Sequence, residues 1–200
     1  MYDKTRYAYN PKGGGLQTDA PSVALDRVHI GHLQIAAANA PAFSNTGVHA
    51  AIICADGVES WLSLDITNPA VPRCIRIKGN AATVVGNMTI EGTNYAGEVI
   101  SEVIIAAGVG AIDGLKAFKT VTRIGIPARG APGDTISVGW NDVLGLPVKM
   151  AHNNIAEVYL NNVKEAAPTV TVSATAIESN TVKLGSALNG SVVDIYLKVY

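Results

Sequence analysis

The chain is short of charge. Fifteen Lys and Arg stand against sixteen Asp and Glu in 200 residues, so only 16% are charged and the net charge is -1. That balance offers no basic footprint for nucleic acid and no cationic face for an anionic membrane. Cysteine is scarcer still: Cys54 and Cys74 are the only two. A disulfide framework or a zinc knuckle needs more thiols at closer spacing, so both are expected as small buried apolar residues. Long hydrophobic runs are missing as well. Val28 to Ala55 contains no Lys, Arg, Asp or Glu, yet Asn39, Pro41, Ser44, Asn45 and two glycines interrupt it, which excludes a membrane span. The opening MYDKTRYAYNPKGGG lacks the apolar core of a secretory signal, and synthesis in a cytoplasm is the expectation.

What is present is apolar and strand-forming. Hydrophobic residues make up 48% of the chain and mean hydropathy is +0.24, high for a freely soluble monomer, so part of the surface is expected to be covered by another subunit. Short runs rich in Val, Ile and Thr, broken by Gly, Pro, Asn and Asp, begin near Arg27 and continue to the C terminus. Roughly a dozen such strands, without a long amphipathic helix, predict an all-β antiparallel sandwich or sandwich-like barrel. Residues 1–26 read as an extended arm and lead-in, 27–163 as the main sandwich, and 164–200 as C-terminal strands that complete it or form a small extra lobe. Tyr2, Arg6, Tyr7 and Tyr9 give the arm the large, low-entropy contact area favoured at interfaces. Two features are expected as interruptions: NPAVPRC (68–74), an edge or crossover because of its prolines, and NDVLGLP (141–147), a turn. Pro132-Gly133-Asp134 is expected to turn the chain into the strand that starts near Thr135.

Three carboxylates, Glu91, Glu98 and Glu102, lie in GNMTIEGTNYAGEVISEVI (86–104). A turn at Asn94-Tyr95-Ala96-Gly97 would set Thr93 opposite Glu98 and Glu91 opposite Ile100. Met88, Ile90, Val99, Val103 and Ile105 then face inward, and all three glutamates face outward. Glu91 would lie diagonal to the other two at about 7–8 Å, inside the roughly 6.5–9.5 Å separation of an inverting glycosidase pair. Catalysis also requires one carboxyl in an apolar pocket, which an outer hairpin face does not supply. Lys119 and Arg123 share a face by alternation and are the expected partners of the glutamates.

Other chemistry is weaker. His29 and His32 fall on opposite faces of a strand, and His49 and His152 have no ligand-spaced neighbours, so no metal site is expected. TISVG (135–139) has Thr135 where the esterase elbow needs glycine, and neither KGGG nor RGAPGDT carries the Gly-Lys-Ser/Thr ending of a phosphate loop. Trp61, Trp140 and Tyr95 are candidates for stacking on sugar rings. No cofactor is expected, and the chain reads as non-enzymatic.

The succession NPAVPRCIRIKGN, GNMTIEGTNYAGEVISEVI, GLKAFKTVTRIGIP and GDTISVGWNDVLGLP, within Ile66 to Pro147, resembles tailed-bacteriophage virion proteins of β-sandwich type. The resemblance implies a capsid decoration or cement protein, a homo-oligomer with a trimer favoured, that bridges major capsid protein subunits on the virion surface without nucleic acid or membrane. Neck, tail-tube and head-completion proteins are the nearest alternatives, and a carbohydrate-binding module is the alternative from another class. Tyr2, Arg6, Tyr7, Tyr9, Glu91, Glu98, Glu102, Lys119 and Arg123 are the interface residues on this reading. Removal of residues 1–15 is expected to abolish attachment to particles while the sandwich stays folded. Occupancy on purified particles, read beside a circular dichroism spectrum of the truncated chain, checks this.

Overall fold

A computed structural model describes residues 15–17, 24–26 and 28–199. Tyr2, Arg6, Tyr7 and Tyr9 lie outside the described residues. The fold is all-β, antiparallel and sandwich-like, and its only helical elements among the described residues are two single-turn 3-10 segments, Ala37–Asn39 and Ile177–Ser179. No helix there is long and apolar enough to cross a membrane. Among the described residues sixteen strands follow in chain order: β1 (Gly15–Gln17), β2 (Ala24–Asp26), β3 (His29–Ile35), β4 (Ser44–Ile53), β5 (Ser60–Leu62), β6 (Arg73–Gly79), β7 (Val85–Thr93) and β8 (Val99–Ala107). They continue with β9 (Ala111–Phe118), β10 (Thr120–Ile126), β11 (Thr135–Gly145), β12 (Ile155–Leu160), β13 (Val163–Lys164), β14 (Thr169–Thr171), β15 (Thr181–Lys183) and β16 (Val193–Val199).

Two facing sheets enclose the first core. One has the order β5-β10-β7-β8; the other runs β14-β15-β11-β6-β9, with β4 also paired to β11. Alternation along β7 turns Met88 and Ile90 inward, where they meet Ile75 and Ile77 of β6, Ile124 of β10, and Ile136 and Val138 of β11. Phe118, fully buried, belongs to the same cluster. Cys54 and Cys74 are buried, free thiols, as their scarcity implies, and burial pushes the Cys74 thiol strongly up.

A second core lies beside the first. The sheet β13-β12-β16-β3 contributes Ile35, Val158, Leu160, Val193, Ile195 and Leu197, which pack with Leu144, Leu146, Met150, Val182, Leu184 and Leu188. The strand β11 serves both cores. Its first half pairs with β4 and β6 and buries Ile136 and Val138 in the first core; its last three residues pair with β15 and send Leu144 into the second.

The segment 141–147, expected as a turn, is therefore mostly strand interior. The turn chemistry exists, since the Asn141 side-chain oxygen accepts the Val143 N–H at 2.9 Å, but it produces a break in pairing with β6 between Trp140 and Leu144 rather than a chain reversal. Into this break comes Arg73, only 1% exposed. Its Nε donates to the Asn141 carbonyl at 2.7 Å, its Nη2 donates to the same oxygen, and its Nη1 donates to the Pro41 carbonyl at 3.0 Å. Asp142 lies 3.4 Å from Nη2. Burial lowers the guanidinium pKa to about 10, partly offset by Asp142, so the group remains charged at neutral pH.

Three short strands, β1, β2 and β13, and one long one, β9, had no expectation. AIDGLKAF, β9, contains Asp113 and Gly114, both depleted in strands, yet it pairs with β6. At the other end of β6, Pro132-Gly133 turns the chain as expected, with Gly133 at φ +88° and β11 beginning at Thr135. The Asp134 carboxylate fastens that turn by accepting N–H groups from Gly130 and Ala131 and the Thr83 hydroxyl.

Arg73→Ala should cost about 3–5 kcal/mol, because it empties a buried site and strands two carbonyls and a carboxylate. Arg73→Lys should cost less but still destabilise, since one ammonium cannot reproduce the planar fork. Denaturant midpoints of the two variants check the order.

Candidate interaction surfaces

The hairpin β7–β8 differs from its expected register by one residue. Thr93 pairs with Val99, Glu91 with Ser101 and Ile90 with Glu102. The loop has five residues, Asn94 to Glu98, because the buried Asn94 side chain organises it: its oxygen accepts the Ala96 and Glu98 N–H groups, and its nitrogen donates to Glu98 at 2.8 Å and Glu178 at 3.2 Å. Gly97, at φ +82°, supplies the left-handed residue.

A one-residue slip exchanges the faces of a whole strand. Ile100, Glu102, Ile104 and Ala106 of β8 point inward, while Val99, Ser101, Val103 and Ile105 point outward. The expectation that Val99, Val103 and Ile105 line the core is thus overturned. They are 86%, 56% and 65% exposed. The three glutamates do not share a face either: Glu91 is outward, Glu98 is in the loop, and Glu102 is inward.

Each glutamate has its own partner. Glu91 meets Arg123 at 2.9 Å across the β7–β10 ladder, as expected from alternation. The guanidinium carbon of Arg123 also lies 4.1 Å from the centroid of the Trp61 ring, which rests on Gly125; a Cβ at Gly125 would come within 3.0 Å of that ring. Lys119 pairs with none of the three. Its Nζ donates to the Ala70 carbonyl at 3.3 Å.

Glu102 is half-buried against β9, where Oε1 accepts the Leu115 N–H at 2.6 Å and the Lys116 N–H at 3.3 Å. Gly114 leaves the room, since a Cβ there would fall 2.5 Å from Oε2. Lys116 reciprocates by donating Nζ to the Ser101 carbonyl at 2.9 Å. Burial raises the Glu102 pKa above the ordinary glutamate range, and the backbone N–H groups only partly oppose it.

No family model, curated protein or solved structure matches the chain. The surfaces themselves must therefore carry the functional reading. The outer face of β8 is the most unusual of them. Val99, Val103 and Ile105 continue across the ladder to Val85, which pairs with Ala107 on the same face and is 56% exposed. A band of large apolar side chains along a long edge strand is what native monomers avoid.

Trp61, Trp140 and Tyr95 do not form one platform. Trp61 lies on the outer face of β5, Tyr95 sits in the β7–β8 loop, and Trp140 packs against the first core with its Nε1–H donating to the Ala42 carbonyl. Among the described residues no three His, Cys, Asp or Glu side chains gather as metal ligands. His29 and His32 fall on opposite faces of β3, and His32 bonds Asp194 at 2.8 Å. That contact opens onto a polar face that the sequence reading passed over. Its signal was present as alternation: Asp194, Tyr196 and Lys198 along β16, and Glu157 and Tyr159 along β12.

Glu102→Ala removes the acceptor for Leu115 N–H and should cost about 1–3 kcal/mol. Glu102→Gln keeps an acceptor and removes the buried charge, so it should stay closer to the native stability. Because the folded pKa is raised, the fold favours protonated Glu102, and stability declines as pH rises from the ordinary glutamate range through the raised value. The Gln variant should lose that decline. Urea melts across the acidic to neutral range check both the order and the slope.

Proposed function

We propose that the chain is a non-enzymatic structural subunit of a tailed-phage virion, a capsid decoration protein that joins its own copies and the major capsid protein through sheet faces. The observation that carries this reading is the exposed apolar band of Val85, Val99, Val103 and Ile105 on the outer face of β7 and β8. Burying such a band at roughly 25 cal/mol per Å² of apolar area gives a permanent assembly its driving force. In a chain with 16% charged residues, few charged groups oppose that association. The pairing of Glu91 with Arg123, and the roles of Glu98 and Glu102 within the hairpin, support a structural use of these carboxylates. The sandwich-like all-β fold is also the fold implied by the resemblance of residues 66–147 to phage virion proteins.

The double variant Val103→Lys, Ile105→Lys alters only exposed positions, so its thermal midpoint should stay near the native one. It should lose self-association in sedimentation and lose occupancy on particles. Retained assembly by this variant would remove the β8 face from the interface. Copy number separates the roles: hundreds per particle fit decoration, whereas a dozen or fewer fit a neck or tail ring.

A further inference from the structure

The outward face of the sheet β13-β12-β16-β3 has a chemistry unlike that of the β8 band. Val193, Ile195 and Leu197 enter the second core, so Asp194, Tyr196 and Lys198 face away from it. The register aligns two rungs across three strands: His32, Tyr196 and Glu157 form one, and Gln34, Asp194 and Tyr159 the next.

Every ring and carboxylate in these rungs is held. The His32 ring stacks on Tyr196 with centroids 4.7 Å apart and planes 9° from parallel, and its Nε2 lies 2.8 Å from Asp194. Asp194, only 7% exposed, also accepts Gln34 Nε2–H at 2.9 Å. Tyr159 meets Tyr196 edge to face at 5.8 Å and donates its hydroxyl to Glu157 at 2.6 Å; Lys164 donates to the other oxygen of Glu157 at 2.5 Å. A strand face that merely meets water has no need of such a connected network.

The network borders an open depression of about 540 Å³ lined by Ile30, Ala156, Glu157, Tyr159, Tyr196 and Lys198. That volume lies in the range of small-ligand sites, about 300–1,000 Å³. It lies where β12 bulges between Ile155 and Glu157, and the lining residue there, Ala156, carries only a methyl group.

The lining selects among ligands. Glu157 and Asp194 are balanced by Lys164 and Lys198, so the face exerts no net pull on a charged molecule. A cation would meet Lys198 and an anion Glu157. What the depression offers is apolar area from two tyrosine rings, Ile30 and Ala156, ringed by a hydroxyl, carboxylate lone pairs and an ammonium donor. The complementary molecule is neutral, has an apolar face and carries hydroxyls at its rim. We propose that this face binds a neutral saccharide, with one pyranose ring against Tyr159 and Tyr196 and its hydroxyls bonded to Glu157 and Lys198. The site contains none of the β8 residues, so the saccharide proposal and the assembly proposal stand or fall separately.

Saturation-transfer NMR and calorimetry on the full chain, with maltotriose, cellotriose, laminaritriose, chitotriose and β-galactosyl oligosaccharides as probes, test it. At least one is expected to bind with a dissociation constant of about 1 mM or tighter, and Tyr196→Ala should weaken it at least tenfold, a loss of about 1.4 kcal/mol. Tyr159→Phe, which keeps the ring and frees Glu157, should weaken it less. Ala156→Leu fills the depression from an exposed position, so it should abolish binding even if Tyr196→Ala fails to fold. The proposal is overturned if none of these sugars binds at millimolar concentration, or if Ala156→Leu leaves binding intact. It is equally overturned if Ala156→Leu disrupts self-association instead, which would make the face a protein interface.

Discussion

The fold is organised around one buried charge. The guanidinium of Arg73 lies where the two hydrophobic cores meet, and its donors are satisfied chiefly by the carbonyls of Asn141 and Pro41. A cation removed from water requires such partners, and a regular ladder could not provide the first of them, since a paired carbonyl points along the sheet. The break in β11 between Trp140 and Leu144 makes the Asn141 oxygen available. The charge and the irregularity therefore depend on each other. Because the chain re-aims at this break, Ile136 and Val138 serve one core and Leu144 the other.

Much of this was legible in the sequence. Alternating Val and Ile runs marked most strands, glycine and proline marked the turn before β11, and alternation marked Arg123 as a partner for the glutamates, of which it pairs with Glu91. The failures have specific causes. Val99 to Ala107 is apolar on both alternating sets, VSVIA and IEIA, so hydrophobic pattern alone cannot choose its register. The choice was made by Asn94, whose side chain closes a five-residue loop, and a single added residue reversed the strand. In β9, Gly114 conceals a strand because its purpose is to admit the carboxylate of Glu102. In β11, Asn141 and Asp142 look like a turn and instead form the seat of Arg73. The first is a local side-chain bond that pattern does not reveal, and the other two are cases in which a long-range contact overrode a local preference.

The same contrast separates the two surfaces. The β8 band exposes what a monomer would bury, and its chemistry is that of area: large, aliphatic and without directional groups. The face of β12, β16 and β3 is built from direction: stacked rings, fixed carboxylates and balanced charge around a hollow. A surface of the first kind suits permanent packing, where partners are always present. One of the second kind suits a ligand that comes and goes, because the groups that meet it are already in place before it arrives.

The shared strand has a mechanical consequence. The strand β11 runs from one core into the other, held on both flanks by antiparallel partners over its first half and by β15 at its end. A load that draws the two lobes apart along this strand acts parallel to its axis, so its hydrogen bonds are strained together in shear instead of opening one after another like a zip. The length of β11, eleven residues against a usual five or six, makes the strand a tie-rod, and the guanidinium at its midpoint is the pin that keeps it from sliding.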